Sequence, residues 1–344
     1  MSSHQAGVAQ VKTEHQRPDL IPLSFAQERL WLLDRIEGSV HYHMPTLLRF
    51  EGPIDERALH FAFIELVNRH EVLRTIFGQV EGTIVQKINP LLQLYEEGKS
   101  SLLDQEIVSE QSAFLLDEAI DALVNQAFDL SKDLPLRAKW FQLSQTDHLL
   151  VLVFHHIASD GWSQPIFVRE LSEYYFAYLE KRTPKLAPLA IQYADYAIQQ
   201  RQVIKDEGLE ERLKYWESKL GGVSPVDLPT DFTRSQIIGN EGEVYKTSIG
   251  KRESRALKIL AKKERVTLFM LLLSAFKVLL HKYTSQEDIC VGTTIANRAH
   301  AQVEPLIGFF VNSLALRSQL SSEMSFRNLL KQVKTTTLDA YQMR

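Results

Sequence analysis

A strand that is greasy on both faces is spelled out at residues 148–154, His148-Leu149-Leu150-Val151-Leu152-Val153-Phe154. It is continuously apolar after its first residue and partly β-branched, so neither face can be left in water. Both sides must be covered by other elements, which points to a layered fold. A turn signal, Gln145-Thr146-Asp147, separates it from a second strand-like run at residues 139–144. The strand runs out into His155-His156-Ile157-Ala158-Ser159-Asp160-Gly161-Trp162-Ser163. A helix is expected from about Pro165 to Lys181, with Pro165 suited to its first turn.

The rest of the chain repeats this alternation. Ser24 is a plausible helix cap, with Ala26, Leu30 and Leu33 following at helical spacing. A strand is expected at Thr46-Leu47-Leu48-Arg49-Phe50, and Asp55 can cap a helix whose Leu59, Phe63, Leu66 and Val67 face one way. Loop-rich stretches lie at residues 184–188 and 221–231, and the first is the expected domain boundary. Beyond it a strand is expected near Val244–Ile249, helices near Ser254–Lys263 and Thr267–Tyr283, and strands near Asp288–Gly292 and Phe310–Arg317. A last helix begins at the cap Ser325. Strands and helices alternate in both halves, which favours an α/β fold.

At 344 residues, 44% hydrophobic and 24% charged, the chain is long enough for more than one domain and for sizeable cores. Its 39 basic and 43 acidic side chains leave a net charge of -4, which argues against nucleic-acid binding by bulk positive charge. Cys290 is the single cysteine, so no intrachain disulfide or cysteine-based zinc cluster can form, and a reducing, cytoplasmic home is expected. The first twenty residues lack the apolar core of a signal peptide. The longest greasy stretch, Phe269 to Leu280, is interrupted by Ser274 and Lys277 and is too short to span a bilayer. No membrane and no nucleic acid are expected as partners.

The chemistry concentrates at the histidine pair. Neighbouring residues on an extended backbone point to opposite faces, so one imidazole can face a cleft while the other turns into structure. Histidine titrates near neutrality and can accept or donate a proton at working pH. Asp160 can fix the turn by an ion pair or hydrogen bond, and Gly161 permits a tight backbone and close approach of a substrate. A metal site on His155, His156 and Asp160 is disfavoured because adjacent histidines diverge and no further ligand stands nearby. A serine hydrolase would need a nucleophile elbow, and no Gly-x-Ser-x-Gly is present. On these residues alone, a reactive loop and two satisfied core histidines both remain open.

The stretch resembles the His-His-x-x-x-Asp-Gly core of the condensation domains of nonribosomal peptide synthetases, within the wider chloramphenicol acetyltransferase-like superfamily. Four further segments resemble the family's motifs in the expected order. They are Ser24-Phe25-Ala26-Gln27-Glu28-Arg29-Leu30-Trp31-Leu32-Leu33, Arg69-His70-Glu71-Val72-Leu73-Arg74-Thr75-Ile76-Phe77, Tyr193-Ala194-Asp195-Tyr196-Ala197, and Ile307-Gly308-Phe309-Phe310-Val311-Asn312-Ser313-Leu314-Ala315-Leu316-Arg317. The resemblance covers about Ile21 to Gln342.

It implies two acetyltransferase-like lobes in a V-shaped pseudo-dimer with a tunnel between them. A flexible lead-in at residues 1–18 would precede an N-terminal lobe at 19–183 carrying the histidine loop and a C-terminal lobe at 184–344. The implied reaction joins an upstream acyl or peptidyl thioester to the amine of a downstream aminoacyl thioester, as in the biosynthesis of secondary metabolites. Both substrates would ride on the 4'-phosphopantetheine arms of peptidyl carrier proteins, with an adenylation domain as neighbour and no tightly bound cofactor or metal. On the match, His156 is the catalytic histidine, as base or as a positioning group; His155 and Asp160 support it, and Arg298 pairs with Asp160. The backbone N–H of Gly161 is a candidate oxyanion donor.

The other motif residues lean structural. His70 and Glu71 stand near a helix end, where the dipole favours a cation. Trp31 and Leu30 look like core, and Asn312 either bonds across the tunnel or satisfies backbone. Trp162-Ser163 suits a condensation domain rather than an epimerisation domain, and the wording around His155, Ile157, Ala158 and Tyr196 leans toward a D-configured donor. Family members run to about 450 residues, beyond the usual single domain. The resemblance therefore leads one to expect an incomplete second lobe, with two later motifs missing and poor condensation by the 344-residue chain alone. An ester-forming acyltransferase and an inactive carrier-binding module are the alternatives.

Overall fold

The computed structural model describes residues 17–90, 103–108, 115–206, 209–232, 244–298 and 300–343. They divide into two compact units, one of residues 1–207 with 296–311 and one of 208–295 with 312–344. This cut differs from the expected one at residue 184, because the chain between 184 and 207 and the segment 296–311 both lie with the first unit. Residues 1–16 of the expected lead-in fall outside the described residues. Arg17, also assigned to it, is half-buried and pairs with Glu71 at 2.8 Å and Asp195 at 2.7 Å.

In the first unit, β1 (Ile21–Pro22) leads into α1 (Phe25–Glu37). Ser24 caps that helix with a full capping box: its hydroxyl accepts from Gln27 N–H, and the Gln27 side chain accepts from the Ser24 N–H. β2 (His43–Glu51) and α2 (Glu56–Arg69) follow, the latter capped by Asp55. A hairpin of β3 (Thr75–Val80) and β4 (Thr83–Ile88) turns through Glu81 and Gly82, both at positive φ. Then come β5 (Asp104–Ile107), α3 (Leu116–Asn125), β6 (Leu136–Gln142), β7 (Asp147–His155), α4 (Ser163–Leu179) and α5 (Tyr193–Asp206). β7 lies inside a four-stranded sheet of order β2-β7-β6-β5, antiparallel except for the β5–β6 pair. Residues Leu150 to Phe154 are all buried, as a strand covered on both faces requires. Phe154 and Phe63 both pack against Phe167 of α4, so α2 and α4 cover one face of the strand that delivers the histidines.

The second unit holds α6 (Leu209–Leu220), α7 (Lys251–Lys263), α8 (Leu268–Thr284), an antiparallel pair β8 (Asp288–Ile295) and β9 (Asn312–Gln319), and α9 (Phe326–Gln342). Its core joins Met270, Leu273 and Leu280 of α8 to Ile289, Leu314, Leu316, Leu329 and Val333. No strand forms at Val244–Ile249. Val244 and Tyr245 are 80% and 91% exposed, and with no ladder to join among the described residues, β-forming side chains alone do not make a strand. No single described helix is long and apolar enough to cross a membrane.

Lys277, read in the sequence as an interruption of a greasy helix, is fully buried. Its Nζ donates to the Leu316 carbonyl at 2.6 Å and the Ser318 hydroxyl at 2.7 Å, with no carboxylate bonded to it. Burial pushes its ammonium down to about 8, against smaller opposing effects of Cys290 and Asp288. The unfolded chain holds that proton up to 10.5, so the protonated form favours unfolding between those values. The second unit should therefore gain about 3 kcal/mol as pH rises from about 8 to about 10.5. Urea midpoints across that range should rise in the wild type and show no such rise in Lys277→Met.

Candidate active site

β7 delivers the histidine pair, and the pleat sends the two rings apart. His155 is fully buried; its Nδ1 accepts the Ile157 N–H at 3.1 Å, so its proton sits on Nε2. That nitrogen has no hydrogen-bond partner, the Asp34 carboxylate standing 3.9 Å away, and the ring packs against His43 and Phe128. Burial, helped by His43, His156 and Arg137, pushes the imidazole down to about 3, so His155 stays neutral.

His156 begins a 3-10 turn, His156–Ala158, and is only part-buried. Its Nδ1 lies 2.7 Å from the Ser159 carbonyl. A carbonyl only accepts, so Nδ1 carries a proton, and in the neutral ring Nε2 is the acceptor. The ring meets Phe309 edge-on, centroids 4.7 Å apart. A fixed tautomer with an open acceptor nitrogen is what proton transfer needs. Among the described residues no three His, Cys, Asp or Glu side chains converge as metal ligands.

Asp160 is buried, and every bond it makes holds backbone or another side chain. Its Oδ1 accepts from Ser163 N–H at 2.9 Å, Ser163 Oγ at 2.7 Å and Arg298 Nη2 at 3.0 Å; its Oδ2 accepts from Phe310 N–H at 3.2 Å. Arg298, its side chain 2% exposed, also donates from Nη1 to the Val303 and Leu306 carbonyls at 2.7 Å each and lies over the Phe310 ring. Burial lowers the guanidinium's pKa, and Asp160 opposes that. Asn297, at φ +50, turns the chain into this position.

Gly161 is exposed, its φ is not in the left-handed range, and a Cβ there would meet nothing within 4 Å. The tight turn is there, closed by the Ser163 N–H on the Asp160 carbonyl at 3.0 Å, but its backbone does not require glycine; the open space beside it remains. Asn312 accepts from the adjacent Ser313 N–H at 2.9 Å, the backbone-satisfying alternative.

The segment 307–310 is the far wall of the site, held by side chains distant in sequence. Ser163 Oγ, its proton given to Asp160, accepts the Gly308 N–H at 3.1 Å, Asp160 takes the Phe310 N–H, and Tyr193 Oη donates to the Phe309 carbonyl at 2.5 Å. His70, at the end of α2, donates from Nε2 to the buried Glu170 carboxylate at 2.8 Å, and its Nδ1 faces the Ile307 N–H at 3.4 Å. Glu71 pairs with Arg17, while Leu30 and Trp31 are core. The roles of Gln27, Ser163, Tyr193 and Phe309 were not foreseen. All but Ser163 lie in segments that resemble family motifs, and Ser163 stands two residues past the motif glycine.

Gly308 is glycine for space. A Cβ there would fall 2.1 Å from Cδ2 of Tyr193 and 3.0 Å from Phe310, inside a packed core. Gly308→Ala should therefore cost about 1–3 kcal/mol by overpacking. A urea midpoint unchanged from wild type would contradict that packing.

The condensation-domain family model matches residues 18–344. The chain belongs to the condensation-domain family. A linear gramicidin synthase of Brevibacillus parabrevis is 41% identical over 327 residues, 94% of this chain and 4% of that protein. Malpinin synthetase of Mortierella alpina is 40% identical over 333 residues, 95% of this chain and 4% of that one. The condensation domain thus spans a small fraction of the curated relatives it matches. Among solved structures, the X-domain from teicoplanin biosynthesis superposes with a TM-score of 0.84 at 28% identity, covering 97% of this chain and 73% of that chain. The first condensation domain of the calcium-dependent antibiotic synthetase gives 0.76 at 20% identity, covering 95% and 75%, and so shares the mixed α/β fold.

Proposed function

We propose that this condensation domain forms an amide bond between two carrier-bound substrates, with His156 as the reacting group. The observation that carries this reading is the single open nitrogen on a tethered imidazole, set beside a neutral, buried neighbour. The donor is an acyl or peptidyl thioester and the acceptor an aminoacyl thioester, each on a 4'-phosphopantetheine arm of a peptidyl carrier protein. The acceptor nitrogen attacks the donor carbonyl, a C–N bond forms, and the C–S bond breaks. His156 Nε2 takes the proton from the attacking nitrogen and returns it to the departing thiolate, so the imidazole ends as it began. Asp160, Arg298 and His155 hold the loop, and the open backbone at Gly161 is where a developing oxyanion can approach an N–H.

A second reading has one observation behind it. A solved structure similar to this chain, at TM-score 0.85 and 28% identity, is a complex of the X-domain and OxyB from teicoplanin biosynthesis. A module that recruits another protein without forming bonds would need no open imidazole nitrogen. Offering the intact protein an aminoacyl carrier, a hydroxyacyl carrier, or neither separates the readings. Amide on the first acceptor supports condensation, ester on the second alone supports an ester-forming acyltransferase, and carrier binding without product supports the recruiting module.

A further inference from the structure

Four buried groups link the first turn of α1 to both walls of the His156 ring. The Phe309 carbonyl can only accept, so the Tyr193 hydroxyl donates to it at 2.5 Å. Tyr193 oxygen then accepts from the Ser24 hydroxyl, 2.9 Å away, whose own oxygen accepts the Gln27 N–H at 3.1 Å. Each donor in the chain has one possible direction, and such chains strengthen cooperatively in a low-dielectric interior. The Gln27 side chain closes the other side. Its Oε1 accepts the Ser24 N–H at 3.2 Å, and its Nε2 donates to the Ile157 carbonyl at 3.1 Å, one residue past His156. Ser24, Gln27, Tyr193 and Phe309 are all 3% exposed or less, so no water competes for these bonds.

We propose that Gln27 and Tyr193 are positioning residues for His156. Gln27 fixes the turn that carries the imidazole, and Tyr193 fixes the backbone that presents the Phe309 ring to it. Neither touches the imidazole. The catalytic consequence rests on the reading of His156 as the reacting group; the placement of its ring does not.

The test is Tyr193→Phe, which deletes one oxygen and leaves the ring that Gly308 packs against. The ring protons of His156 feel the ring current of Phe309, and their resonances are assigned by their loss in His156→Ala. They should move in Tyr193→Phe and stay in place in Tyr175→Phe, whose hydroxyl accepts the Asp55 N–H at 3.0 Å and lies outside the chain of bonds described. In the intact protein, kcat for amide formation should fall about 10- to 100-fold with KM unchanged, the size expected for a misplaced reacting group. The same substitution added to His156→Ala should cost nothing further, because both act on one group. A Tyr193→Phe protein that melts as wild type with unmoved His156 resonances overturns the proposal. Should Tyr193→Phe not fold, Ser24→Ala breaks the same chain one link earlier and is read in the same way. If His156→Ala turns over as fast as wild type, the functional reading fails, while the resonance result still decides the positioning claim.

Discussion

Asp160→Asn should destabilise the first unit by about 3–5 kcal/mol, because it leaves a buried guanidinium without its counter-charge. Arg298 cannot move to water: its side chain is 2% exposed, and Nη1 is committed to two carbonyls. An asparagine keeps one acceptor oxygen, so it can serve Ser163 or the Phe310 N–H but not both, and that lost bond adds to the effect of the unpaired charge. Replacing both partners, Asp160→Asn with Arg298→Met, should recover part of the loss seen with Asp160→Asn alone, since the uncompensated cation is then gone. Arg298→Lys should not substitute, because a single ammonium cannot reach Asp160, Val303 and Leu306 together as the fork does. Urea unfolding of the four proteins measures this directly. Equal midpoints for wild type and Asp160→Asn would mean that the pair does not hold the segment 296–311 to the histidine loop.

The second large effect is on turnover. His156→Ala should lower the rate of amide formation about 10²- to 10⁴-fold, the usual worth of a positioned proton-transfer group. The α-amine of the acceptor has a pKa of about 8, so two versions of the role part company with pH. If His156 only deprotonated the ammonium, the deficit of His156→Ala would shrink as pH passed about 8 and the free amine took over. The tether of Nδ1 to Ser159 leaves Nε2 able to take the proton that the nitrogen sheds after attack, a need that does not fade with pH. The deficit should therefore persist to about pH 9, against an acceptor pKa of about 8. His155 adds no competing titration near neutrality, because burial pushes its pKa down to about 3.

Much of this site was legible in the sequence because it is local. Six consecutive apolar residues before the pair demand a buried strand, the pleat divides the two imidazoles, and Asp160 and Ser163 close a turn within a few positions. The caps at Ser24, Asp55 and Ser325 are likewise one-turn features, and each side chain accepts the backbone N–H expected of it. What could not be read is non-local or two-sided. Gln27 meets Ile157 across 130 positions and Ser24 meets Tyr193 across 169, with no periodicity linking them. The pairing of Arg298 with Asp160 came from family resemblance, and no spacing rule would have supplied it. Lys277 looked like a wet interruption because its partners, Leu316 and Ser318, lie on a strand about forty residues later. The helix Leu209–Leu220 escaped because it has no fully buried face to leave a periodic signature. The strand expected at Val244–Ile249 failed for the opposite reason: the composition was right, but no strand among the described residues pairs with it.

The most direct measurement is of the intact masses of two carriers, one loaded with an acyl thioester and one with an aminoacyl thioester, after mixing with the intact protein. With wild type, the acceptor carrier should gain the mass of the donor acyl group while the donor carrier returns to its free thiol, and with His156→Ala both masses should stay put over the same interval. Transfer at equal rates in the two proteins would contradict the assignment of His156, and absence of transfer in either, with both carriers bound, would contradict amide formation altogether.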